Sequence, residues 1–140
     1  FRMIGSGRVL YHMTYIDDLV DGIVLCGEHP AAQGQTYILS GPRYTTLDEL
    51  VAAIAEAVCR PTPRGRIPLW PVKVAAWGCE TLCKPLGIEP PLHMRRLDFF
   101  TKDRGFTSAK AHREIGYSPK VSLADGLART AAWYREQGLL

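Results

Sequence analysis

The sequence has no apolar run approaching the ~18 residues of a membrane span, and nothing near Phe1 has the layout of a signal peptide. It has four cysteines, Cys26, Cys59, Cys79 and Cys83, too few and too irregularly spaced for a secreted disulfide framework. There is no Cys-x-x-Cys, and no histidine stands at ligand spacing beside Cys79 and Cys83, so no metal site is expected. Cys79 and Cys83, one helical turn apart, share a face, and all four are expected as reduced thiols. Charges do not run in blocks and are not interleaved with aromatics, which argues against a nucleic-acid partner. Internal repeats and low-complexity stretches are absent too. These absences lead to the expectation of a cytoplasmic protein with neither a membrane nor a nucleic acid as partner.

What is present is a globular balance. Apolar residues make up 46% of 140 and charged residues 22%, enough for one domain with its own core. The chain begins at Phe1 and not at Met, so a fragment or a trimmed chain is expected. The net charge of +3 conceals an asymmetry. Residues 1–58 hold three basic side chains against seven acidic, whereas residues 59–140 hold fourteen against seven. A basic half attracts phosphates, or else forms an ordinary solvated face.

Residues 8–15 are rich in β-branched and aromatic side chains and read as a strand. Asp17 and Asp18 follow, placed to satisfy free backbone N–H groups at a helix start, and Leu19, Val20, Ile23 and Val24 recur at helical spacing until His29-Pro30. Residues 36–40, Thr-Tyr-Ile-Leu-Ser, read as a second strand stopped by Gly41-Pro42. Thr46 to Glu49 is a capping box, with Leu47, Leu50, Val51, Ile54 and Val58 as one apolar stripe. Four prolines keep residues 60–71 extended, with a short strand near Ile67. Val72, Ala75, Ala76, Cys79, Leu82 and Cys83 describe a helix face ending near Gly87, and Glu89-Pro90-Pro91 breaks the chain. Residues 92–101 read as a short helix carrying Arg95, Arg96, Phe99 and Phe100. Ser108 caps a helix through Ile115 that Gly116 closes, and Ser122 to Asp125 opens the last helix, closed by Gly138. Strands alternating with helices indicate an α/β class.

In that order these patterns resemble the C-terminal part of the extended short-chain dehydrogenases/reductases, the NAD-dependent epimerase/dehydratase family. Tyr15-Ile16-Asp17-Asp18-Leu19-Val20-Asp21-Gly22 looks like its strand-to-helix signature, and Tyr37 to Pro42 with the helix after Thr46 is similar to its last core strand and helix. Ser108 to Ala111 with Ile115-Gly116-Tyr117-Ser118-Pro119 resembles its closing turn, and Leu123 to Leu140 its final helix. The resemblance implies an α/β fold, mostly helical with a few short strands, in which residues 1–140 form one substrate-binding domain including the last core strand and helix at about 36–58. It implies NAD or NADP as cofactor of a full-length enzyme. None of the thirteen glycines, however, forms the Gly-x-Gly-x-x-Gly or Gly-x-x-Gly-x-x-Gly turn that lets backbone approach a pyrophosphate. No tyrosine has a lysine four residues on, the family's proton-transfer pair. This chain is therefore expected to hold no catalytic and no cofactor-binding residue.

The substrate implied is a sugar nucleotide, with Arg95 and Arg96 resembling the Arg-rich step that contacts a ligand diphosphate. Sugar-nucleotide members place arginine where Tyr11 stands here, so Tyr11 joins the substrate-contact candidates while one expected phosphate contact is lost. The run Phe106 to Ala111 with Gly116 to Pro119 also looks like the hydroxysteroid-dehydrogenase branch, whose apolar pocket Trp70, Trp77, Phe99 and Phe100 would suit if they are not ordinary core. His12 and His93 have no nucleophile or carboxylate nearby in sequence and read as structural. A reading of another class is a free-standing binding or interaction module without catalysis. An open edge at residues 36–40 beside apolar helix faces would make the chain a homo-oligomer. Calorimetric titration of the 140-residue chain with NAD or NADP is expected to show no saturable heat; micromolar binding would contradict the absence of a phosphate-cradling turn.

Overall fold

The structure, a computed structural model, describes residues 2–63, 65–83, 87, 89 and 94–140, without the side chains of Met94 and Arg96. Its elements are β1 (Met3–Ile4), β2 (Leu10–Tyr11), α1 (Ile16–Glu28), β3 (Thr45–Thr46), α2 (Leu47–Ala57), β4 (Arg66–Ile67), α3 (Leu69–Cys83), α4 (Met94–Leu97), α5 (Ala109–Ile115) and α6 (Leu123–Glu136). They fall into two compact units, one built from Phe1–Val9 and Pro63–Asp103, the other from Leu10–Thr62 and Arg104–Leu140.

In the smaller unit β1 and β4 pair in parallel, Met3 opposite Arg66 and Ile4 opposite Ile67. The short strand expected near Ile67 therefore exists, and its partner is the chain's start. α3 begins earlier than the apolar pattern indicated, with Pro71 in its first turn, where a missing N–H costs no helical bond. Ala76 is fully buried on its inner face, and the Cys79 and Cys83 sulfurs lie 4.0 Å apart on the same side, both as free thiols. Leu82, expected on that face, is instead exposed. The break at Glu89-Pro90-Pro91 falls largely outside the described residues. The helix expected over 92–101 is α4 followed by a 3-10 turn at Asp98–Phe100.

The larger unit is organised around α1. Its first-turn carboxylates were expected to cap their own helix, but Tyr15 is the N-cap and offers no side-chain bond. Asp18 reaches across the fold, and its two oxygens accept the backbone N–H groups of Lys120 (2.9 Å) and Val121 (3.0 Å). These two residues lead into α6, whose own cap is Ser122, accepting from Asp125 N–H. One turn after Asp18, Gly22 lets the ring of Tyr117 and the side chain of Leu39 lie against the helix: a Cβ there would come within 2.8 Å of both. Gly116, at φ 72°, turns the chain out of α5 in the left-handed region and delivers Tyr117 to that contact. Ala32, Ala111, Ile115 and Tyr117 form the buried cluster, with Leu25, Cys26, Tyr37 and Leu39 packed on it.

The capping box at Thr46 and Glu49 is present as the sequence indicates, with Glu49 N–H donating to Thr46 Oγ1 and Thr46 N–H to Glu49 Oε2. These bonds, with that from Thr45, hold the Glu49 carboxyl below the usual carboxylate range. α2 packs against α6, and Arg135 of α6 donates to the Ala57 carbonyl at the end of α2, where a cation opposes the negative end of the helix dipole. Two strand expectations contract. Of residues 8–15 only Leu10 and Tyr11 form a ladder, antiparallel to β3. Residues 36–40 form none: Tyr37 and Leu39 turn inward and Ile38 outward, as in a strand, yet no described strand lies beside them to complete a ladder. At α5 the first N–H donates to Thr107 Oγ1, and the expected cap Ser108 makes no side-chain cap bond.

Removing the Asp18 carboxylate leaves two N–H groups unpaired in a site where Asp18 itself is 5% exposed. Asp18→Ala is expected to destabilise the fold by about 2–4 kcal/mol in a denaturant titration, on the scale of charged hydrogen bonds. Asp17→Ala, at an exposed neighbour, is expected to change stability by less than about 0.5 kcal/mol. Equal effects would show that the long-range bonds contribute nothing.

Candidate functional site

The larger unit carries an open cleft of about 400 Å³ lined by His12, Thr14, Ile38, Leu39, Ser40 and Phe106. Its walls come from the extended segments after β2 and before β3, which approach so closely at Gly41 that a Cβ would collide with the carbonyl of Met13. His12 is fixed at both nitrogens. Phe106 N–H donates to Nδ1 at 3.3 Å, so the proton sits on Nε2, which donates to the Gly41 carbonyl at 2.9 Å. The imidazole thus ties three segments together, the structural part expected of it; His93 lies outside the described residues. At the floor, Tyr117 donates to the Ser40 carbonyl at 3.1 Å. The Ser40 hydroxyl is buried with no partner among the described residues, a polar demand that a ligand or water can meet.

Beside the cleft, Tyr11 is 6% exposed in β2. Arg104 continues that sheet, its N–H donating to the Leu10 carbonyl at 2.7 Å. Its guanidinium donates to the Tyr11 hydroxyl at 3.3 Å and lies 5.7 Å from the ring centroid. Burial pushes the Tyr11 phenol above its ordinary value, and the arginine partly opposes this. Tyr11 itself is thus a buried anchor for a cation. No local pattern marks Arg104, because the two side chains are 93 positions apart.

In the smaller unit, Arg95 is exposed on α4, while the Arg96 side chain is outside the description. Asp98, the local partner expected for these arginines, pairs with Lys102 at 2.7 Å. Trp70 and Trp77, read as pocket or core, are 70% and 66% exposed, and Phe99 is 54% exposed. Among the described residues no group of three or more His, Cys, Asp or Glu side chains could hold a metal. No described helix is long and apolar enough to cross a membrane.

No family model matches the chain. It is 28% identical over 141 residues to a 3β-hydroxysteroid dehydrogenase/decarboxylase of Arabidopsis thaliana, covering 91% of this chain and 32% of that one. It is 27% identical over 136 residues to a UDP-glucose 4-epimerase of Mycolicibacterium smegmatis, covering 97% and 34%. Among solved structures, gox2253 superposes with a TM-score of 0.76 at 26% identity, over 94% of this chain and 39% of that one. The chain resembles the C-terminal portion of the extended short-chain dehydrogenases/reductases and shares their fold. A UDP-glucuronic acid 4-epimerase of Bacillus cereus, solved in complex with NAD, shares that fold at 19% identity with a TM-score of 0.64. The chain spans about two fifths or less of the length of the curated relatives it matches.

Tyr117 connects the core to the cleft floor and is 1% exposed. Burial, followed by the Asp18 and Asp21 carboxylates, raises its phenol above the ordinary value of 10.0. The native state therefore keeps this proton at pH values where the unfolded chain loses it, so the contribution is complete below about pH 10 and is lost as pH rises beyond it. Denaturation midpoints measured from pH 9 to 11 are expected to fall, and Tyr117→Phe is expected to flatten that fall. An unchanged slope in the variant would remove Tyr117 as its source.

Proposed function

We propose that residues 1–140 are the substrate-binding portion of an NAD(P)-dependent enzyme of the extended short-chain dehydrogenase/reductase type, acting on a ring secondary alcohol. That chemistry is common to a 4-epimerase of a sugar nucleotide and to a 3β-hydroxysteroid dehydrogenase. In this reading the cofactor's pyrophosphate turn and the Tyr/Lys proton-transfer pair belong to sequence outside this chain. The chain's own residues bind and orient the substrate.

For the substrate class, a sugar nucleotide is favoured by one observation: the Arg104 guanidinium is held at Tyr11. Tyr11 occupies the place where the resemblance anticipates an arginine, and the Arg104 cation stands beside it, from a segment 93 positions further on. Backbone and phenol fix the fork, so a diphosphate oxygen can accept from it with little ordering cost. Arg95 and Arg96 are proposed as further phosphate contacts by their resemblance to the Arg-rich step. The hydroxysteroid reading is supported by the likeness to a 3β-hydroxysteroid dehydrogenase/decarboxylase and by the apolar walls Ile38, Leu39 and Phe106 of the cleft. A second copy of the chain is proposed as a partner, through residues 36–40 and the exposed apolar face of α1 at Ile16, Val20, Ile23 and Val24.

The test is a steady-state assay of the naturally encoded protein that carries this chain, with NAD or NADP and panels of UDP-sugars and 3β-hydroxysteroids. Turnover of a UDP-sugar is expected, with Arg104→Ala raising KM at least about 10-fold, the equivalent of one charge-assisted bond. Replacing Arg95 and Arg96 together is expected to weaken UDP-sugar binding by about 3–6 kcal/mol in all. Turnover of steroids alone, indifferent to Arg104, would establish the second reading. Turnover of neither panel would overturn the proposal.

A further inference from the structure

α3 presents two sulfurs that neither the cleft nor the Tyr11 and Arg104 pair employs. Cys79 and Cys83 stand at i and i+4, so one turn of helix stacks them on the same face. Both are half-buried free thiols, and their sulfurs lie 4.0 Å apart. Cys26, by contrast, belongs to α1 and packs on the buried cluster of the larger unit, while Cys59 is exposed beyond the end of α2.

The separation decides which chemistry suits the pair. Cβ atoms at i and i+4 of a helix are about 5–6 Å apart, whereas a disulfide brings them to about 3.5–4.5 Å. Oxidation would therefore deform the last turn of α3. A single metal ion makes no such demand. With a metal–thiolate bond of about 2.3 Å, two sulfurs on one ion stand about 3.8 Å apart at a tetrahedral angle and about 4.6 Å apart in a line. The observed 4.0 Å falls between these limits with the helix unchanged. Zinc asks for four ligands, and among the described residues no group of three or more His, Cys, Asp or Glu side chains could supply them. Cu(I) is satisfied by two thiolates, and soft sulfur selects it over harder ions.

We propose that Cys79 and Cys83 form a two-thiolate site for a soft monovalent metal ion, Cu(I). As the ion binds, each S–H bond breaks and an S–Cu bond forms, so two protons pass to solvent and the site changes from neutral to a charge of −1. Copper enters and stays as Cu(I), so no oxidant or reductant is consumed. The lack of Cys-x-x-Cys and of a neighbouring histidine argues against zinc, and a two-coordinate ion requires neither. Both donors come from the five residues 79–83 of one helix, so their spacing is set locally. The proposal does not depend on which substrate the enzyme takes.

The probe is Cu(I), kept reduced with ascorbate and shared with a coloured Cu(I) chelator, added to the naturally encoded protein that carries this chain. The protein is expected to withdraw an ion from the chelator through this pair. Cys79→Ser and Cys83→Ser are each expected to weaken that binding at least about 100-fold, beyond the about 10–100-fold typical of residues that only support a ligand. Cys59→Ser, at an exposed thiol outside α3, is expected to leave it unchanged. Circular dichroism checks the fold of each variant. A second measurement needs no variant: in the unmodified protein, alkylation of Cys79 and Cys83 by iodoacetamide, mapped by mass spectrometry, is expected to slow at least about 10-fold when Cu(I) is bound, while Cys59 reacts as before. Copper binding that is the same in Cys79→Ser and Cys83→Ser as in the unmodified protein would overturn the proposal, as would thiols left unprotected at saturating Cu(I). So would copper that joins two copies, read as a doubled mass by light scattering, because sulfurs of different chains would then be the ligands.

Discussion

A single buried carboxylate sets the geometry of the larger unit. Asp18 sits in the first turn of α1, where its charge is compatible with the positive end of the helix dipole. Both oxygens are directed at the Lys120 and Val121 N–H groups, more than a hundred residues downstream. A carboxylate buried in this way is tolerated only when hydrogen-bonded. The bonds fix where α6 begins and hence how it meets α2, where Arg135 closes the end of the helix. Gly22, one turn further along α1, then receives Tyr117, whose hydroxyl holds the Ser40 carbonyl at the cleft floor. An Asp and a Gly four residues apart thus anchor two different long-range contacts from one helix face.

The cleft inherits its shape from this arrangement. Its two extended walls lie together because Gly41 has no side chain and because His12 binds both Gly41 and Phe106. With both imidazole nitrogens committed, the histidine contributes position and not proton transfer. Among the described residues the buried hydroxyl without a partner is that of Ser40 within the cleft, and the Arg104 guanidinium stands beside the cleft on Tyr11. Such a site can orient a substrate by hydrogen bonds and charge, which is the part assigned to it in the proposed enzyme.

What the sequence revealed follows the range of each interaction. The capping box at Thr46, the left-handed closure at Gly116 and the cap at Ser122 depend on residues within four positions of one another, and all three are as read. Helix positions followed from apolar spacing for the same reason. The role of Asp18 was misread because an acidic first turn is the commonest local use of such a residue, and no local signal marks a bond to a backbone a hundred positions away. Arg104 carries no local signal for a similar reason, since its meaning lies in Tyr11, 93 positions away and directly beside it in the fold. Residues 36–40 have the inward and outward alternation of a strand, but a ladder also needs a neighbour, which composition does not supply. In α3 the apolar spacing was genuine on two opposite faces, so the stripe containing Trp70 and Trp77 could be divided between core and surface only by the fold itself.

Amide hydrogen exchange at Lys120 and Val121 tests most directly whether the Asp18 carboxylate organises the larger unit. Both precede α6 and belong to no helix or strand, so without this contact they would exchange at the rate of an open loop. The account predicts protection approaching that of the α1 and α6 interiors, lost at both amides together in Asp18→Asn, which weakens the acceptor at almost constant shape. Loop-like exchange at both amides in the unmodified chain would contradict it.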